Sequence, residues 1–549
     1  MKLFIVESPH KIRTLQRILR QSKTSFIFRA TYGHIMDLPK NSLGIDLKRG
    51  FFPNLVFLPE KMKNLKAIKR FLSEVKEVYL ATDPDREGEA ISYHLKEFLS
   101  KYKKNLIFKR IDLIEITEWG VERAFKYSRE VDEFLYQAWL ARRILDRLIG
   151  YLLSPLLSKF FKESLSVGRV QSPALKLIVE REKEIDSFSP KITYSLEVLL
   201  DNNLKVELYH KNRLYKVSDP EELKEFFESK LKGTELELFE TQERRLKRAP
   251  PLPLKTTTLI EWGSKCVGLE PKEIMKIAQR LYEEGYITYM RTDSTRVSPL
   301  AQSKAKEFIQ KCFGSLYLGK YRRKKPQKFS QEAHECIRPT KIDLLKIPLG
   351  IKENELYELI WKVFIASQMA SASYLEKTYF FRNFNLEKDF TLRISGKTLL
   401  FDGFQRILKS EEKEERLPEL IKGEKFKILD FILKTHKTSP PPRYTPQSLI
   451  KKLESLGIGR PSTYPTILDI LYKRGYVVKR GGYLQPTELG KRVCEFLESK
   501  TPLFMEYQFT ANMEEALDKI YKNQVSYLEV IEGIYEVLKK YLKALKDES

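Results

Sequence analysis

The chain has 549 residues, which is too long for one hydrophobic core, so its length predicts several domains. Its 99 lysines and arginines against 74 aspartates and glutamates give a net charge of +25 at neutral pH, which favours a polyanionic partner and above all nucleic acid. The four cysteines lie far apart without a Cys-x-x-Cys pair, which excludes a zinc ribbon and a dense disulfide framework.

The amino terminus has the pattern of a strand instead of a cationic leader followed by an apolar run. No apolar stretch reaches the roughly 18 residues that a membrane span needs. We therefore expect a cytoplasmic protein that does not associate with membranes.

Two predicted strands end at carboxylates. The apolar run 2–6 is followed by Glu7, Ser8 and Pro9, where Ser8 is placed to cap a helix and Pro9 to begin it. A second apolar run, 77–81, leads into the segment TDPDREGE (82–89) and then a helical pattern over 90–99. Open α/β sheets place their sites at the carboxyl ends of strands. We therefore expect four carboxylates to converge: Glu7, Asp83, Asp85 and Glu87.

Such a cluster repels itself unless a hard divalent cation lies among the carboxylates, and Mg²⁺ suits an all-oxygen site of this kind. An acidic helix N-terminus, stabilised by the helix dipole, explains the Asp-x-Asp-x-Glu pattern equally well. Both interpretations stay open on these residues alone.

The next segment predicts helices joined by a polar turn. Residues 138–151 have a helical pattern in which Arg142 and Asp146 lie four apart, so an ion pair between them is expected. The segment SVGRVQS (166–172) is a glycine-centred turn before a helix that ends near Asp186. A turn at a helix N-terminus suits a backbone grip on phosphate groups; a plain turn is the alternative.

Alternating apolar residues predict strands within 193–209, 374–401 and 426–433. Between them lies a mostly helical segment, 255–367, which is entered through the proline-rich linker 248–253. This order indicates a helical block inserted into a β domain. A second proline-rich connector, 439–443, returns the chain to helices.

A short repeat links the two helical regions. LYEEGYI (281–287) matches LYKRGYV (471–477), and each follows two amphipathic helices and precedes a hairpin-like stretch. The pattern is typical of winged-helix modules, which place side chains against DNA. Chance similarity over seven positions is the alternative.

The first hairpin-like stretch carries Tyr289. A tyrosine hydroxyl has a pKa of about 10, so an attacking tyrosine needs a neighbouring cation and a proton acceptor. On alternating strand geometry, Arg291 projects to the same side as Tyr289 and can reach a phosphate beside the phenol. An amphipathic strand with an ordinary surface arginine is the other interpretation of these residues.

Two further polar segments are notable. His334 and Arg338 lie four apart, after a basic run, 321–328, that we expect to be a solvated loop. The segment IGRPSTY (458–464) opens a helix with glycine, proline and hydroxyl residues, again suited to an anionic partner.

Together these motifs resemble those of the type IA DNA topoisomerases, in the family's order over nearly the whole chain. Glu7-Ser-Pro and the run 83–89 are similar to the toprim metal-binding domain. The other matching segments are 32–35 (YGHI), 141–143 with Asp146, 168–172 (GRVQS), 289–294 (YMRTDS), 333–335 (AHE), 337–340 (IRPT) and 459–464 (GRPSTY).

The resemblance implies a multidomain fold of α/β, α and β parts that forms a torus: a toprim α/β domain, a β-rich hinge and two winged-helix-like helical domains. The implied limits are 1–145 for toprim, 146–188 with 443–549 for the DNA-binding helical domain, 189–250 with 372–442 for the hinge, and 251–371 for a helical gate that carries the tyrosine.

The resemblance also implies a reaction. Tyr289 would attack a DNA phosphodiester in a Mg²⁺-dependent, ATP-independent step, forming a 5′-phosphotyrosine; strand passage and religation would then relax negatively supercoiled DNA. We expect a monomer that prefers single-stranded or underwound DNA.

The residues implied as catalytic are Tyr289, Arg291, Glu7, Lys11 and His334, and those implied for the metal are Glu7, Asp83, Asp85 and Glu87. The implied DNA contacts are His34, Arg142, Arg143, Asp146, Tyr151, Ser166, Val167, Gly168, Arg169, Val170, Gln171, Arg291, Arg460, Ser462, Thr463 and Arg474.

No tetracysteine segment follows the last motif, so we expect the zinc-ribbon tail of many relatives to be absent. A topoisomerase III-like decatenase is an alternative within the family, but Met290 stands where such enzymes tend to have proline, and this favours the relaxing branch. A toprim nuclease or primase and a non-catalytic DNA-binding scaffold are the alternatives outside it.

Overall fold

The computed structural model describes residues 1–22, 24–320, 334–409 and 414–547. The predicted basic loop, 321–328, lies outside these ranges. Among the described helices, none is both long enough and apolar enough to cross a membrane.

The amino-terminal region is built on a four-stranded parallel sheet. Its strand β1 (Lys2–Val6) lies between β2 (Phe26–Ala30) and β7 (Glu77–Leu80), and β8 (Ile107–Arg110) pairs with β7. Leu3 and Ile5 of β1 pack into one hydrophobic cluster and Phe4 and Val6 into another. Both faces of the strand are therefore covered, which explains its continuous apolar sequence. The elements of this region are β1 (Lys2–Val6), α1 (Pro9–Ile18), β2 (Phe26–Ala30), β3 (Met36–Asp37), β4 (Ile45–Asp46), β5 (Phe52–Pro53), β6 (Val56–Phe57), α2 (Met62–Lys69), β7 (Glu77–Leu80), α3 (Arg86–Ser100), β8 (Ile107–Arg110), α4 (Glu118–Lys126) and α5 (Glu133–Phe161).

The helices after both carboxylate-bearing strands begin at capping residues. Ser8 accepts a hydrogen bond from the His10 amide and Pro9 is the first residue of α1, as predicted. Helix α3 begins at Arg86, four residues before the predicted start, because Asp85 caps it by accepting from the Gly88 amide. The acidic residues therefore lie at a helix N-terminus, as one of the two interpretations predicted.

Helix α5 spans 29 residues, and the implied domain limit at 145 falls inside it. The chain then forms α6 (Gln171–Asp186), β9 (Ile192–Leu200), β10 (Lys205–His210), β11 (Arg213–Leu214), α7 (Pro220–Phe226) and β12 (Glu235–Arg248). The helical block contains α8 (Thr256–Val267), α9 (Pro271–Glu283), α10 (Pro299–Phe313) and α11 (Ile351–Ser367).

After the helical block come β13 (Ala372–Arg382), β14 (Phe390–Phe401) and β15 (Lys425–Lys437). Among the strands described, β10, β14, β13, β12, β15 and β9 pair antiparallel in that order, and β9 pairs back with β10, so the sheet closes on itself. Arg248 is the partner of Ala372 at the end of one ladder. The helical block therefore leaves and re-enters the β domain at adjacent points, as the sequence predicted.

The carboxyl-terminal region holds α12 (Pro446–Ser455), α13 (Tyr464–Lys473), β16 (Val477–Arg480), β17 (Tyr483–Pro486), α14 (Glu488–Lys500), α15 (Pro502–Met505), α16 (Tyr507–Tyr521) and α17 (Tyr527–Asp547). Strands β16 and β17 form the hairpin expected after the second repeat. The hairpin expected after the first repeat is wrong. There, Ile287 makes a single bridge to Pro339, and the Tyr289 amide donates to the Ile114 carbonyl at 2.8 Å, because the segment pairs with distant chain instead of folding back on itself.

Candidate active site

Tyr289 lies at the contact between the helical block and the amino-terminal sheet, and its side chain is buried. Its hydroxyl donates a 2.6 Å hydrogen bond to Asp85 Oδ2. Arg291 Nη1 lies 3.3 Å from the same Asp85 oxygen and 3.3 Å from Glu87 Oε2. The predicted side-by-side placement of Tyr289 and Arg291 is present, although the backbone here is not a regular strand.

The electrostatics of this contact keep the phenol protonated. Burial and then the charges of Asp85 and Asp83 raise the pKa of Tyr289 well above its ordinary value, while Arg291 acts in the opposite direction. Burial disfavours the Asp85 anion, but Arg291 and the Tyr289 hydroxyl together hold the pKa of Asp85 below its usual range. Asp85 is thus an ionised acceptor aimed at the phenolic proton.

Glu7 and Asp83 lie next to this pair at the ends of β1 and β7. The Asp83 amide donates to Glu7 Oε1 at 3.0 Å, and Lys11, which is fully buried, forms an ion pair with Asp83. Burial, followed by the charges of Asp83 and Asp85, raises the pKa of Glu7 to about 8. Burial and the neighbouring carboxylates therefore favour the protonated form of Glu7, whereas the Lys11 charge acts in the opposite direction.

Gly88 lets α3 approach the end of β7. A Cβ atom at Gly88 would lie 2.0 Å from the Asp83 carbonyl oxygen, so any other residue would force the helix away from the sheet. Arg110 reinforces the same turn, because its guanidinium donates to the Asp83 carbonyl at 2.7 Å and to Glu89 at 3.0 Å.

His334 lies beside Tyr289, with 6.2 Å between the ring centroids. Burial lowers the pKa of His334, so its ring is neutral at physiological pH. Arg338 is also buried, and its Nη2 lies 2.9 Å from Glu335 and 2.8 Å from Glu115. Arg338 therefore ties the helical block to the amino-terminal region.

The four predicted metal carboxylates lie along this edge. Lys11 pairs with Asp83, and Arg291 with Asp85 and Glu87, whereas Glu7 accepts from the Asp83 amide. Among the described residues, no group of three or more Asp, Glu, His or Cys side chains is arranged to hold a metal ion. Burial and then Asp85 also raise the pKa of Glu87. The mutual repulsion that raises the pKa values of Glu7 and Glu87 is what a divalent cation would relieve.

Three of the predicted DNA-binding arginines meet inside the protein. Arg142 Nη2 and Arg169 Nη1 each lie 2.7 Å from the carboxylate of Glu514, and Arg460 Nε lies 3.8 Å from it. The expected Arg142–Asp146 ion pair is wrong. Asp146 accepts instead from Arg169 at 2.9 Å, because Arg142 is drawn to the fully buried Glu514.

Other predicted DNA contacts line the surface around α5. Arg143 pairs with Asp37 through hydrogen bonds of 2.5 and 2.7 Å, and the His34 ring stacks on Trp139 with 5.3 Å between centroids. Tyr151 and Arg474 are exposed.

The predicted phosphate-binding turn is held from several sides. The Ser166 amide donates to the Tyr476 hydroxyl at 3.1 Å, and Gln171 Nε2 donates to the Ser166 carbonyl at 3.0 Å. The Val167 amide donates to Ser154 Oγ at 3.0 Å. Gly168 and Val170 complete the turn before α6. In the second turn, the Arg460 amide donates to Thr463 Oγ1 at 2.9 Å, and Ser462 and Thr463 immediately precede α13.

Sequence reasoning missed several residues of this region: Tyr282, whose hydroxyl donates to the Leu113 carbonyl, Arg110, Glu115, Glu514 and Asp518. Glu514 and Asp518 are four apart on α16 and so share one helix face. That spacing was the only signal available, and it is common on helices.

In this fold the carboxylate edge of a parallel sheet faces a buried tyrosine and a partly exposed arginine from an inserted helical block, and the class of protein that matches the chain is DNA topoisomerase. Two family models match the chain: a "Toprim domain" over residues 2–116 and a "DNA topoisomerase" over residues 130–532.

Similar proteins agree with this class. The chain is 42% identical to "DNA topoisomerase 1" of Aquifex aeolicus over 547 residues, covering 98% of each chain. It is 40% identical to "DNA topoisomerase 1" of Thermotoga maritima over 551 residues, covering 97% of this chain and 84% of that protein. The structure of full-length topoisomerase I from Thermotoga maritima superposes with a TM-score of 0.86 at 37% identity, covering 98% of this chain and 90% of that one. The chain belongs to the type IA DNA topoisomerase family.

Proposed function

We propose that Tyr289 is the nucleophile with which this topoisomerase cleaves one DNA strand. The observation that carries the proposal is the 2.6 Å hydrogen bond from its hydroxyl to Asp85, with Arg291 at the same carboxylate. An attacking phenol needs a proton acceptor and a cation. Here Asp85 contacts the phenol, and Arg291 contacts Asp85.

The reaction replaces one phosphodiester bond with another. The Tyr289 oxygen bonds to phosphorus while the bond from phosphorus to the 3′ oxygen breaks, which leaves a 5′-phosphotyrosine and a free 3′-hydroxyl. Asp85 is placed to take the phenolic proton. Glu7, whose pKa is raised to about 8 by burial and by the charges of Asp83 and Asp85, is suited to donate a proton to the leaving 3′ oxygen. Arg291 and Lys11 supply fixed positive charge to the phosphate.

We propose that Mg²⁺ is the cofactor, held by Asp83 and Asp85 with Glu7 and Glu87 beside them. The support is chemical: these are hard oxygen donors, and the charges of Asp83 and Asp85 raise the pKa of Glu7. When bound, Mg²⁺ would supply positive charge to the phosphate.

We propose that residues 251–371 act as a gate in a toroidal molecule and that 189–250 with 372–442 form its hinge. The support is the burial of Tyr289, which is 2% exposed, so a strand reaches its hydroxyl only if the helical block moves away from the sheet. Because the strand must enter alone, single-stranded or underwound DNA is the proposed substrate. Cytoplasmic location and the monomeric state stay predictions.

A labelled single-stranded oligonucleotide tests the proposal. With Mg²⁺ and rapid denaturation, we expect a 3′ label to remain attached to the protein and a 5′ label to be released, because the tyrosine keeps the 5′ phosphate. Tyr289→Phe should abolish both this complex and relaxation of negatively supercoiled plasmid. Tyr286→Phe is the matched control, since Tyr286 is a neighbouring tyrosine outside the contact with Asp85, and it should retain both.

Cleavage without protein-linked DNA would indicate a nuclease, and primer synthesis would indicate a primase. Persistence of relaxation in Tyr289→Phe would refute the assignment of the nucleophile.

A further inference from the structure

Carboxylates on helix α16 form ion pairs with three arginines that the sequence predicted to bind DNA. Glu514 is fully buried, and its carboxylate accepts from Arg142 Nη2 and from Arg169 Nη1, each at 2.7 Å. Burial opposes ionisation of Glu514, but the arginines Arg142, Arg169 and Arg460 hold its pKa far below its usual range. Glu514 is therefore a permanent anion inside this cluster.

Asp518 lies one helical turn further along α16. Its Oδ2 accepts from Arg460 Nη2 at 2.7 Å, and its Oδ1 forms an ion pair with Arg86. Arg86 is the residue between Asp85 and Glu87. The two carboxylates of α16 thus connect three predicted DNA-binding arginines to the first turn of α3, where Asp85 meets Tyr289.

The charges of this cluster leave capacity for an anion. Four arginines (Arg86, Arg142, Arg169 and Arg460) meet three carboxylates (Asp146, Glu514 and Asp518), so one positive charge is left over. Within the described part of the chain, the buried Arg142 Nε and Arg169 Nη2 atoms have no hydrogen-bond acceptor. A buried donor without an acceptor is costly, and a phosphate oxygen at the partly exposed Arg142 guanidinium would add an anion to this cluster.

We propose that Glu514 and Asp518 are positioning residues: they fix the guanidinium group of Arg142, the most exposed of the three arginines, for the DNA backbone, with Arg169 and Arg460 packed behind it, and couple the cluster, through Arg86, to the motif that contacts Tyr289. The inference rests on the proposed role of Tyr289 in cleavage. Glu514 itself is too deeply buried to touch DNA.

The test compares Glu514→Gln and Asp518→Asn with Glu515→Gln. Glu515 is the matched control, because it lies on the same helix and, among the described residues, its ion pair is with Lys519, 3.3 Å away at the surface. Cleavage is measured in a single turnover at saturating single-stranded oligonucleotide, per folded enzyme, and affinity is measured separately by fluorescence anisotropy.

We expect Glu514→Gln to slow cleavage by about 10-fold to 100-fold, because displaced guanidinium groups hold the strand out of register. Affinity should change by less than about threefold, because the arginines keep their charge and phosphate contacts dominate binding. Glu515→Gln should leave both quantities unchanged.

A double-mutant cycle separates positioning from general destabilisation. If Glu514 acts through Arg142, Glu514→Gln combined with Arg142→Ala should cleave no more slowly than Arg142→Ala alone. Multiplicative losses, or a normal cleavage rate in Glu514→Gln, would overturn the proposal. If Glu514→Gln does not fold, Asp518→Asn, whose side chain is 15% exposed, carries the same cycle with Arg460→Ala.

Failure of the nucleophile assignment would appear as activity in Tyr289→Phe. Failure of the positioning proposal would appear as a normal cleavage rate in Glu514→Gln or as multiplicative losses in the cycle, so the two failures are distinguishable.

Discussion

Glu454 on α12 forms the contacts whose loss should most directly weaken the attachment of the helical block to the carboxyl-terminal helices. It accepts from Lys255 Nζ at 2.7 Å and from Thr257 Oγ1 at 2.9 Å, across the boundary between the helical block and the carboxyl-terminal helices. The Lys255 and Glu454 side chains are 13% and 15% exposed. Most of the solvent screening that weakens surface ion pairs is therefore missing here.

The size of the effect follows from this burial. Hydrogen bonds to charged groups contribute about 1.5–3 kcal/mol each, and Glu454→Gln keeps neutral versions of them, so we expect a loss of about 1–2 kcal/mol. If the proposed gate opens, these contacts exist only in the closed state. The whole loss of free energy then shifts the equilibrium between the closed and the open gate, by a factor of roughly 5–30 towards the open state. The more exposed pair between Lys451 and Glu261, 2.9 Å apart, should contribute less and respond more to salt.

Single-molecule energy transfer can measure this equilibrium. Cys312 is an exposed thiol on α10 of the block, and Lys473→Cys would place the second dye on α13, with the other exposed thiol removed by Cys266→Ser. The control is Glu358→Gln, which breaks an ion pair with Lys362 within α11 alone. An unchanged open fraction in Glu454→Gln, or an equal change in the control, would refute the reasoning.

Two further predictions concern a close backbone contact at a glycine and the proposed metal-binding aspartates. Gly285 has φ +82 and a Cβ there would lie 2.5 Å from the Ile116 carbonyl oxygen, whereas Gly268 has φ +72 and open space. Gly268→Ala should therefore cost about 1–2 kcal/mol of backbone strain, and Gly285→Ala should cost more and also slow plasmid relaxation; thermal unfolding that ranks the two variants equally would contradict this. Asp83→Ala combined with Asp85→Ala should abolish Mg²⁺-dependent relaxation while single-strand binding persists or tightens, because Lys11 and Arg291 lose anionic partners; normal relaxation by this variant would exclude the proposed metal site.

Local sequence was sufficient to predict the elements that follow from short-range rules. The strand over 2–6, the Ser8 cap of the helix after it and the proline that begins that helix were predicted from adjacent residues, and all are present. The insertion of a helical block into a β domain was also predictable, since a change of periodicity is visible along the chain. Tyr289 and Arg291 could be paired because they are two positions apart.

The errors share a physical cause. The expected Arg142–Asp146 ion pair and the expected hairpin after residue 287 both assumed that a segment satisfies its polar groups locally. In the folded chain, Arg142 turns to Glu514, which is 372 residues away in sequence. The backbone after Ile287 is instead satisfied by the Ile114 and Arg338 carbonyls. Propensity and spacing carry no information about such partners.

The sequence by itself therefore determined which residues are candidates, and the tertiary structure decided what each one touches. That Asp85 accepts a hydrogen bond from a tyrosine 204 residues later, that the pKa of Glu7 is raised and that buried carboxylates of α16 hold the predicted DNA-binding arginines all depend on burial and on charges from distant segments. A hydrogen bond or a pKa is set by what lies within a few ångströms, and only the packed chain fixes that neighbourhood.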